Sequence, residues 1–201
     1  MPQFTTPLLF VWPYWPAYWL VCLWVMLPEM RIVLKGAKAA KQPDSMDGGS
    51  IKVIARGGGI AMLLAFPLGW VTALRFPAAY DVPVYFAGVT LVILSSLLRR
   101  HCFKQLGASF TGDVRAKADQ RVVTTGAYSI LRHPSYTAGI LMNTAFGLAL
   151  GSWVSTLLLT AAGFLIYSYR IAVEERALAT VIGEPYLEFM RTRKRLIPFV
   201  Y

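Results

Sequence analysis

The chain has 201 residues, of which 56% are hydrophobic and 15% are charged, and its mean hydropathy is +0.52. This balance excludes an ordinary soluble domain and indicates an integral membrane protein. The formal net charge is +10, but neither aromatic–basic interleaving nor zinc-ligand spacing accompanies the basic residues. We therefore expect no nucleic-acid partner.

The membrane-spanning elements are predicted from apolar runs, because a helix needs about 20 mostly apolar residues to cross roughly 30 Å of hydrocarbon. Candidate runs lie at residues 7–27, 54–74, 82–98, 134–150 and 152–172. We predict an all-α, polytopic integral membrane protein with about five transmembrane helices and further interfacial helices on the cytoplasmic side. The whole chain, 1–201, is expected to form a single membrane domain.

The first apolar run and the loop after it have distinctive compositions. Pro13 and Pro16 stand among tryptophans in the first run, which predicts a kink or an entry through an interfacial aromatic belt. Residues 1–7 carry no positive charge and no small-residue cleavage site follows, so we expect the run to be retained rather than removed as a signal peptide. The stretch from Gly36 to Ser50 is rich in Lys, Asp and Gly and is predicted to be a solvated, mobile loop.

Basic residues are concentrated in alternate connections between the predicted spans. They follow the first, third and fifth runs, whereas the opposite connections hold only Arg75. The positive-inside rule then predicts an N-terminus outside and a C-terminus in the cytoplasm, with the excess charge facing anionic membrane lipids. The residues concerned are Arg31, Lys35, Lys38, Lys41, Lys52, Arg56, Arg99, Arg100, Lys104, Arg115, Lys117, Arg121, Arg132, Arg170, Arg176, Arg191, Arg193, Lys194 and Arg195.

Cysteine and histidine are scarce, with 2 residues of each in the chain. Cys22 lies in the first run and Cys102 follows the third, so no disulfide framework is predicted; Cys102 is a free thiol or, alternatively, a palmitoylation site. His101 and His133 have no thiolate or second imidazole at ligand spacing, and we expect no metal site.

The fourth and fifth runs are predicted to form a tight helical hairpin, because only Gly151 and Ser152 separate them. The start of one helix and the end of the other then lie side by side at the cytoplasmic face. Pro134 suits the first turn of a helix, where its missing N–H costs nothing. His133 is therefore expected at a helix N-terminus, a position that favours a bound anion.

Charged residues also follow the fifth run, where Arg170 and Glu174 share one helix face and Glu175 is adjacent. Charges so close to an apolar run are expensive unless they are paired or functional. One interpretation is an Arg170–Glu174 ion pair at the interface. The other is a site in which Arg170 holds an anionic substrate and a carboxylate meets a cationic or amino group.

Two motifs in the second half of the chain resemble those of a known family, the isoprenylcysteine carboxyl methyltransferases, which are integral membrane enzymes that use S-adenosylmethionine. The resemblance covers about residues 105–200. It implies a cofactor-binding methyltransferase core over 105–201. Hydropathy predicts three N-terminal spans and a basic loop over 1–104, which are compatible with the resemblance. The matching residues are Gly126-x-Tyr128 with Arg132-His133-Pro134-Ser135-Tyr136 and Gly139, then Arg170, Glu174-Glu175, Gly183-Glu-Pro-Tyr-Leu-Glu188 and Leu196-Ile-Pro-Phe199.

The resemblance implies S-adenosylmethionine as cofactor, S-adenosylhomocysteine as product and Arg170 as the catalytic residue that meets the methyl acceptor. Arg115 is a further candidate. Tyr186 and Arg193 either close the pocket from the tail or belong to a surface helix. The implied cofactor-binding residues are Gln120, Arg121, Val122, Val123, Tyr128, His133, Pro134, Ser135, Tyr136 and Glu174.

The implied reaction is methyl transfer to a lipophilic acceptor, with the carboxylate of an isoprenylcysteine-like molecule as the first choice. An ionised carboxylate needs no general base. A phospholipid amine or a small thiol is the alternative acceptor, and it would require a proton acceptor such as His133 or Glu175. A non-enzymatic membrane protein that binds lipid is a third interpretation, in which the Arg-His-Pro turn only anchors a helix to headgroups.

Overall fold

The computed structural model describes residues 5–43, 45–107, 110, 112–116, 120–198 and 200–201. Lys117 of the basic connection and Phe199 of the C-terminal motif lie outside these residues. The described residues form α-helices joined by short 3₁₀ turns and contain no β-strand, so the all-α prediction is confirmed. The helices are α1 (Tyr14–Ala39), α2 (Ser50–Leu68), α3 (Asp81–Leu106), α4 (Pro134–Ala149), α5 (Trp153–Ile182) and α6 (Glu184–Thr192).

Each predicted apolar run overlaps one of the first five helices, but the first run begins before α1 and the second extends beyond the end of α2. By length and composition, 4 described helices can cross a membrane: α1, α2, α5 and the segment Ala78–Leu106, which contains α3. α4 has only 16 residues, about 24 Å at 1.5 Å per residue, and it packs between α3 and α5. The integral membrane class is thus supported. α4 is the shortest of the five helices that correspond to the predicted spans.

The loop prediction for Gly36 to Ser50 is wrong in part. α1 continues through Ala39, and Asp47 and Ser50 are buried, with exposed fractions of 2% and 0%. Asp47 caps α2, because its Oδ2 accepts the Ile51 N–H at 3.1 Å and its Oδ1 accepts the Ser50 hydroxyl at 2.9 Å. A buried carboxylate also needs a cationic partner, and the chain supplies one from α5, as described below.

The hairpin of α4 and α5 has the predicted form. Gly151 makes the turn with φ of +69°, and the Ser152 hydroxyl caps α5 by accepting the Ser155 N–H at 3.2 Å. Arg75 closes this end of the molecule by pairing with Asp81 at 3.1 Å. The two helices are therefore antiparallel, and the start of α4 lies beside the second half of α5.

Small residues allow the helices to pack closely. A methyl group at Gly147 would stand 2.3 Å from Cα of Thr156 in α5, and one at Gly88 would stand 2.6 Å from the Ala149 backbone nitrogen. Such contacts let backbones approach where water does not drive association. The hydrophobic core includes Val25, Ala65 and Tyr85 together with residues of α4 and α5.

Candidate active site

A cleft opens at the end of the helix bundle opposite the α4–α5 turn. Its empty space is about 1100 Å³ when the open mouth is counted. The lining residues come from the C-terminal parts of α1, α3 and α5, from the N-terminal parts of α2 and α4, from α6, and from residues 112–115 and 120–123. The polar groups of distant chain segments therefore converge here.

The structure brings together nearly all of the site residues predicted from the sequence. Pro134 is the exception: it begins α4 and is buried, but it does not line the cleft. Arg115 and Tyr186 line the cleft as well, whereas Arg193 lies outside its lining and donates to the Thr192 carbonyl. The predicted residues that line the cleft are Gln120, Arg121, Val122, Val123, Tyr128, His133, Ser135, Tyr136, Arg170 and Glu174.

Glu175 lies behind the cleft and accepts from three side chains. Its Oε1 is 2.8 Å from Arg132 Nε and 3.1 Å from His133 Nε2, and its Oε2 is 3.0 Å from Arg195 Nε. Only 3% of the Glu175 side chain is exposed. A carboxylate so enclosed holds the entry of α4, α5 and the C-terminal tail together, and it is not placed to accept a proton from a substrate in the cleft.

The C-terminal tail docks on the entry turn of α4 through backbone hydrogen bonds. Arg132 N donates to Lys194 O at 2.8 Å and His133 N to Arg195 O at 3.1 Å. The Thr137 hydroxyl donates to Leu196 O at 2.8 Å. The two resembling motifs, more than 50 residues apart in the chain, thus form one structural unit.

A second polar network runs through the cleft wall. The Tyr136 hydroxyl donates to Glu174 and accepts from Arg170 Nε at 3.3 Å. Arg170 Nη1 pairs with Asp47 and also donates to Ser50. The ion-pair partner of Arg170 is therefore Asp47 on the α1–α2 connection, not Glu174 as in the simpler sequence interpretation.

Arg99 is a buried cleft residue that the sequence analysis treated only as part of the basic connection. Its Nε pairs with Glu29 of α1 at 2.7 Å, and its Nη1 donates to the Ser135 carbonyl at 2.6 Å. The guanidinium lies over the Phe103 ring, 4.9 Å from the centroid. Arg99 thereby fixes the first turn of α4 against α1 and α3.

Two tyrosines outside the spanning segments line the cleft in the neutral form. Burial raises the pKa of Tyr128 and Tyr186 above the ordinary phenol value. The Tyr128 hydroxyl is buried beside Ser135 and makes no hydrogen bond of good geometry among the described residues. Because a buried polar atom without a partner is costly, this hydroxyl is a candidate contact for a bound molecule.

Sequence reasoning missed Asp47, Ser50, Arg99 and Glu29 as parts of the site. Asp47 and Ser50 stand in a stretch whose composition is typical of a loop, and no motif distinguishes them. A signal did exist for Glu29: it is an acidic residue within an apolar helix, and such residues are usually paired or functional. Its partner Arg99 was hidden among neighbouring basic residues.

These features define an all-helical integral membrane protein with a polar cleft at one end of its bundle. The model of the isoprenylcysteine carboxyl methyltransferase (ICMT) family matches residues 88–180. The resemblance found from the sequence motifs is thus confirmed. Curated methyltransferases are similar to part of this chain, and a solved structure has a similar fold.

Among curated proteins, the chain is 31% identical over 136 residues to the protein-S-isoprenylcysteine O-methyltransferase of Schizosaccharomyces pombe, covering 65% of this chain and 58% of that one. It is 29% identical over 115 residues to protein-S-isoprenylcysteine O-methyltransferase B of Arabidopsis thaliana, covering 56% and 58%. The match thus spans less than two thirds of the length of these relatives. A solved structure of the eukaryotic intramembrane Ras methyltransferase ICMT has the same fold, with a TM-score of 0.53, 21% identity and coverage of 84% of this chain and 73% of that one.

Proposed function

We propose that this protein is an integral membrane methyltransferase that transfers a methyl group from S-adenosylmethionine to a lipophilic acceptor, the carboxylate of an isoprenylcysteine-like molecule. The observation that carries the proposal is the convergence of the family-like residues, from Gln120 to Glu174, on one cleft among the helix ends. A role limited to anchoring a helix at headgroups would not require these residues to line a common cavity.

The residues of the cleft fit the proposed cofactor. Glu174 supplies a carboxylate for its ammonium or a ribose hydroxyl, and Tyr136 and Val123 supply walls for its ring. The Tyr128 hydroxyl offers a buried hydrogen-bonding group for a polar atom. His133 contributes less directly, because its Nε2 already contacts Glu175.

When bound, S-adenosylmethionine supplies an electrophilic methyl group on a sulfonium. Arg170 orients the acceptor carboxylate, whose oxygen is already ionised at neutral pH, so the chain needs no general base. The tyrosines and aliphatic side chains of the lining would reduce the water around the bound reactants, and alignment of the two reactants would provide the main rate enhancement.

The proposed site lies at the cytoplasmic face. α5 has 30 residues, about 45 Å at 1.5 Å per residue, so its last turns extend beyond roughly 30 Å of hydrocarbon. Glu174 is in those turns. A soluble cofactor enters from the cytoplasm, and the lipid part of the acceptor enters from the membrane, where the acceptor is expected to reside.

The proposal also assigns roles to the two parts of the chain. Residues 105–201 provide most of the proposed cofactor contacts. Residues 1–104 provide membrane helices and also Ile51 and Arg99 of the cleft lining. We therefore propose one membrane domain in which both parts build the site.

Calorimetric titration of the detergent-purified protein with S-adenosylhomocysteine tests the cofactor assignment. We expect one-to-one, micromolar binding, weakened about tenfold or more by Glu174→Gln because a charge-assisted contact is lost. Glu188→Gln is the matched control, since Glu188 is exposed and pairs with Arg191 on the surface of α6. Absence of binding to folded wild-type protein would reject the methyltransferase proposal in favour of a lipid-binding one.

Turnover of an N-acetylated S-prenylcysteine tests the acceptor class. Methyl ester should form with the wild-type protein and S-adenosylmethionine. The protein could instead bind the cofactor, form no ester, and methylate a phospholipid amine or a small thiol. That result would show that the acceptor is a neutral group and not a carboxylate.

A further inference from the structure

The hydrogen bonds of Arg170 restrict how it can receive an acceptor. A guanidinium has five N–H donors. Tyr136 takes the Nε–H at 3.3 Å, Asp47 and Ser50 take both Nη1–H groups, and the Gly112 carbonyl takes one Nη2–H at 3.2 Å. Only the second Nη2–H is left without a partner among the described residues, so a two-point clamp on a carboxylate is not available in this arrangement.

The partners of Arg170 are rigidly placed. Asp47 is 2% exposed and caps α2. Gly112 packs directly on α1, where a methyl group at Gly112 would stand 2.8 Å from Cα of Gly36. The guanidinium is therefore held from three sides by α4, the start of α2 and the 112–116 segment.

Asp47 is the carboxylate in direct contact with the Arg170 guanidinium, whereas Glu174 is joined to it through the Tyr136 hydroxyl. It lies outside the 88–180 region that matches the family model, in the part of the chain where sequence reasoning predicted only a loop. Its carboxylate contacts a guanidinium that lines the cleft, while Asp47 itself does not line it. Asp47 thus acts on the site through Arg170.

Neutralisation matters because charge disappears during the proposed reaction. A carboxylate oxygen of the acceptor forms a C–O bond to the methyl carbon, the S–C bond breaks, and its electron pair goes to sulfur. The products are a neutral ester and a neutral thioether, and no proton is transferred. An unpaired cation beside the carboxylate would stabilise the charged ground state more than the transition state and would slow the reaction.

We propose that Asp47 is a positioning residue that holds Arg170 and cancels its charge, so that the acceptor carboxylate is oriented by a single hydrogen bond and is not held as an ion pair. This inference rests on the proposed function. It predicts that the affinity of the site for an anionic acceptor is kept low by a residue that the acceptor does not touch.

The test compares two probes in the presence of saturating S-adenosylhomocysteine, so that no turnover occurs: an N-acetylated S-prenylcysteine and its neutral methyl ester. Asp47→Asn is the informative variant, because it removes the charge and keeps the size of the side chain. One of the two accepting oxygens becomes an NH₂ group, so the variant also loses one acceptor, either for the Ile51 N–H or for Arg170 and Ser50. The affinity for the carboxylate probe should rise about five- to tenfold as Arg170 loses the carboxylate in direct contact with it, while the affinity for the ester stays as in the wild type. With S-adenosylmethionine, KM for the carboxylate should fall and kcat should fall as well.

Asp81→Asn is the matched control, because Asp81 pairs with Arg75 at the opposite end of the bundle and its loss should change neither affinity. Ser50→Ala removes an uncharged partner of Arg170 and should shift both probe affinities alike. The affinity for S-adenosylhomocysteine is measured by calorimetry as well. If it is unchanged in Asp47→Asn, the variant is folded.

The outcomes separate the two proposals. Suppose that the wild-type protein binds both probes. If Asp47→Asn then leaves the ratio of the two affinities unchanged, or shifts it in favour of the ester, the proposed role of Asp47 is wrong and the methyltransferase proposal stands. A raised KM together with a lowered kcat in Asp47→Asn also contradicts the proposed role of Asp47, because general disruption of the site gives that pattern. If wild-type protein binds S-adenosylhomocysteine but neither probe, the acceptor class fails and the role of Asp47 fails with it.

Discussion

Adjacent glutamates on α5 have different surroundings, and we expect different effects when each is changed. Glu174 lines the cleft and accepts from Tyr136, whereas Glu175 is enclosed by Arg132, His133 and Arg195. Glu175→Gln leaves buried Arg132 without its counter-charge and should lower the free energy of unfolding by about 3 kcal/mol. Glu174→Gln should leave thermal stability nearly unchanged and weaken the binding of S-adenosylhomocysteine.

Thermal unfolding in detergent, with and without S-adenosylhomocysteine, measures both effects on the same samples. A Glu175→Gln variant as stable as wild type would contradict the view that this carboxylate joins the tail to α4. At this scale the sequence motifs predicted which residues approach the cleft. They could not assign the partners of Arg170 or Glu175, because an ion pair between distant positions depends on tertiary packing and leaves no local spacing.

Close backbone contact is the main feature of the α4–α5 hairpin at the level of whole elements. Gly147→Ala should lower thermal stability, because the added methyl group would meet the backbone of Thr156 at 2.3 Å and the helices would have to separate. Gly58→Ala in α2 is the matched control: a methyl group there meets nothing within 4 Å, and alanine is the better helix former. Equal stability of the two variants would argue against the packing shown here.

Helix order and the hairpin were predictable from hydropathy, from Pro134 and from the Gly151–Ser152 turn, since these signals are local. The first helix was placed too early: Leu8–Phe10 form a 3₁₀ turn, and α1 begins only at Tyr14. The end of the Gly36–Ser50 stretch was misjudged for a different reason. Its polar side chains bond to groups inside the protein, namely the N-terminus of α2 and Arg170, and not to water.

The whole molecule is asymmetric in charge and in the position of its cleft. The cleft opens where the basic connections meet, while the opposite end is closed by Arg75, Asp81 and the α4–α5 turn. The sequence predicted this separation because the positive-inside rule depends only on the order of spans and charges. It could not predict that α1 and α2 complete the cleft, since hydropathy identifies a span without identifying its neighbours.

This asymmetry leads to a prediction about membrane orientation. Lys41→Cys lies at the end of α1 near the cleft and Ala79→Cys lies near Arg75, and both positions are exposed. In intact cells a membrane-impermeant maleimide should label Ala79→Cys, and in inside-out vesicles it should label Lys41→Cys, because the basic end faces the cytoplasm. The wild-type chain is the control: Cys22 and Cys102 are only 5% and 0% exposed and should not react. The reverse labelling pattern would place the cleft outside the cell and exclude a cytoplasmic supply of cofactor.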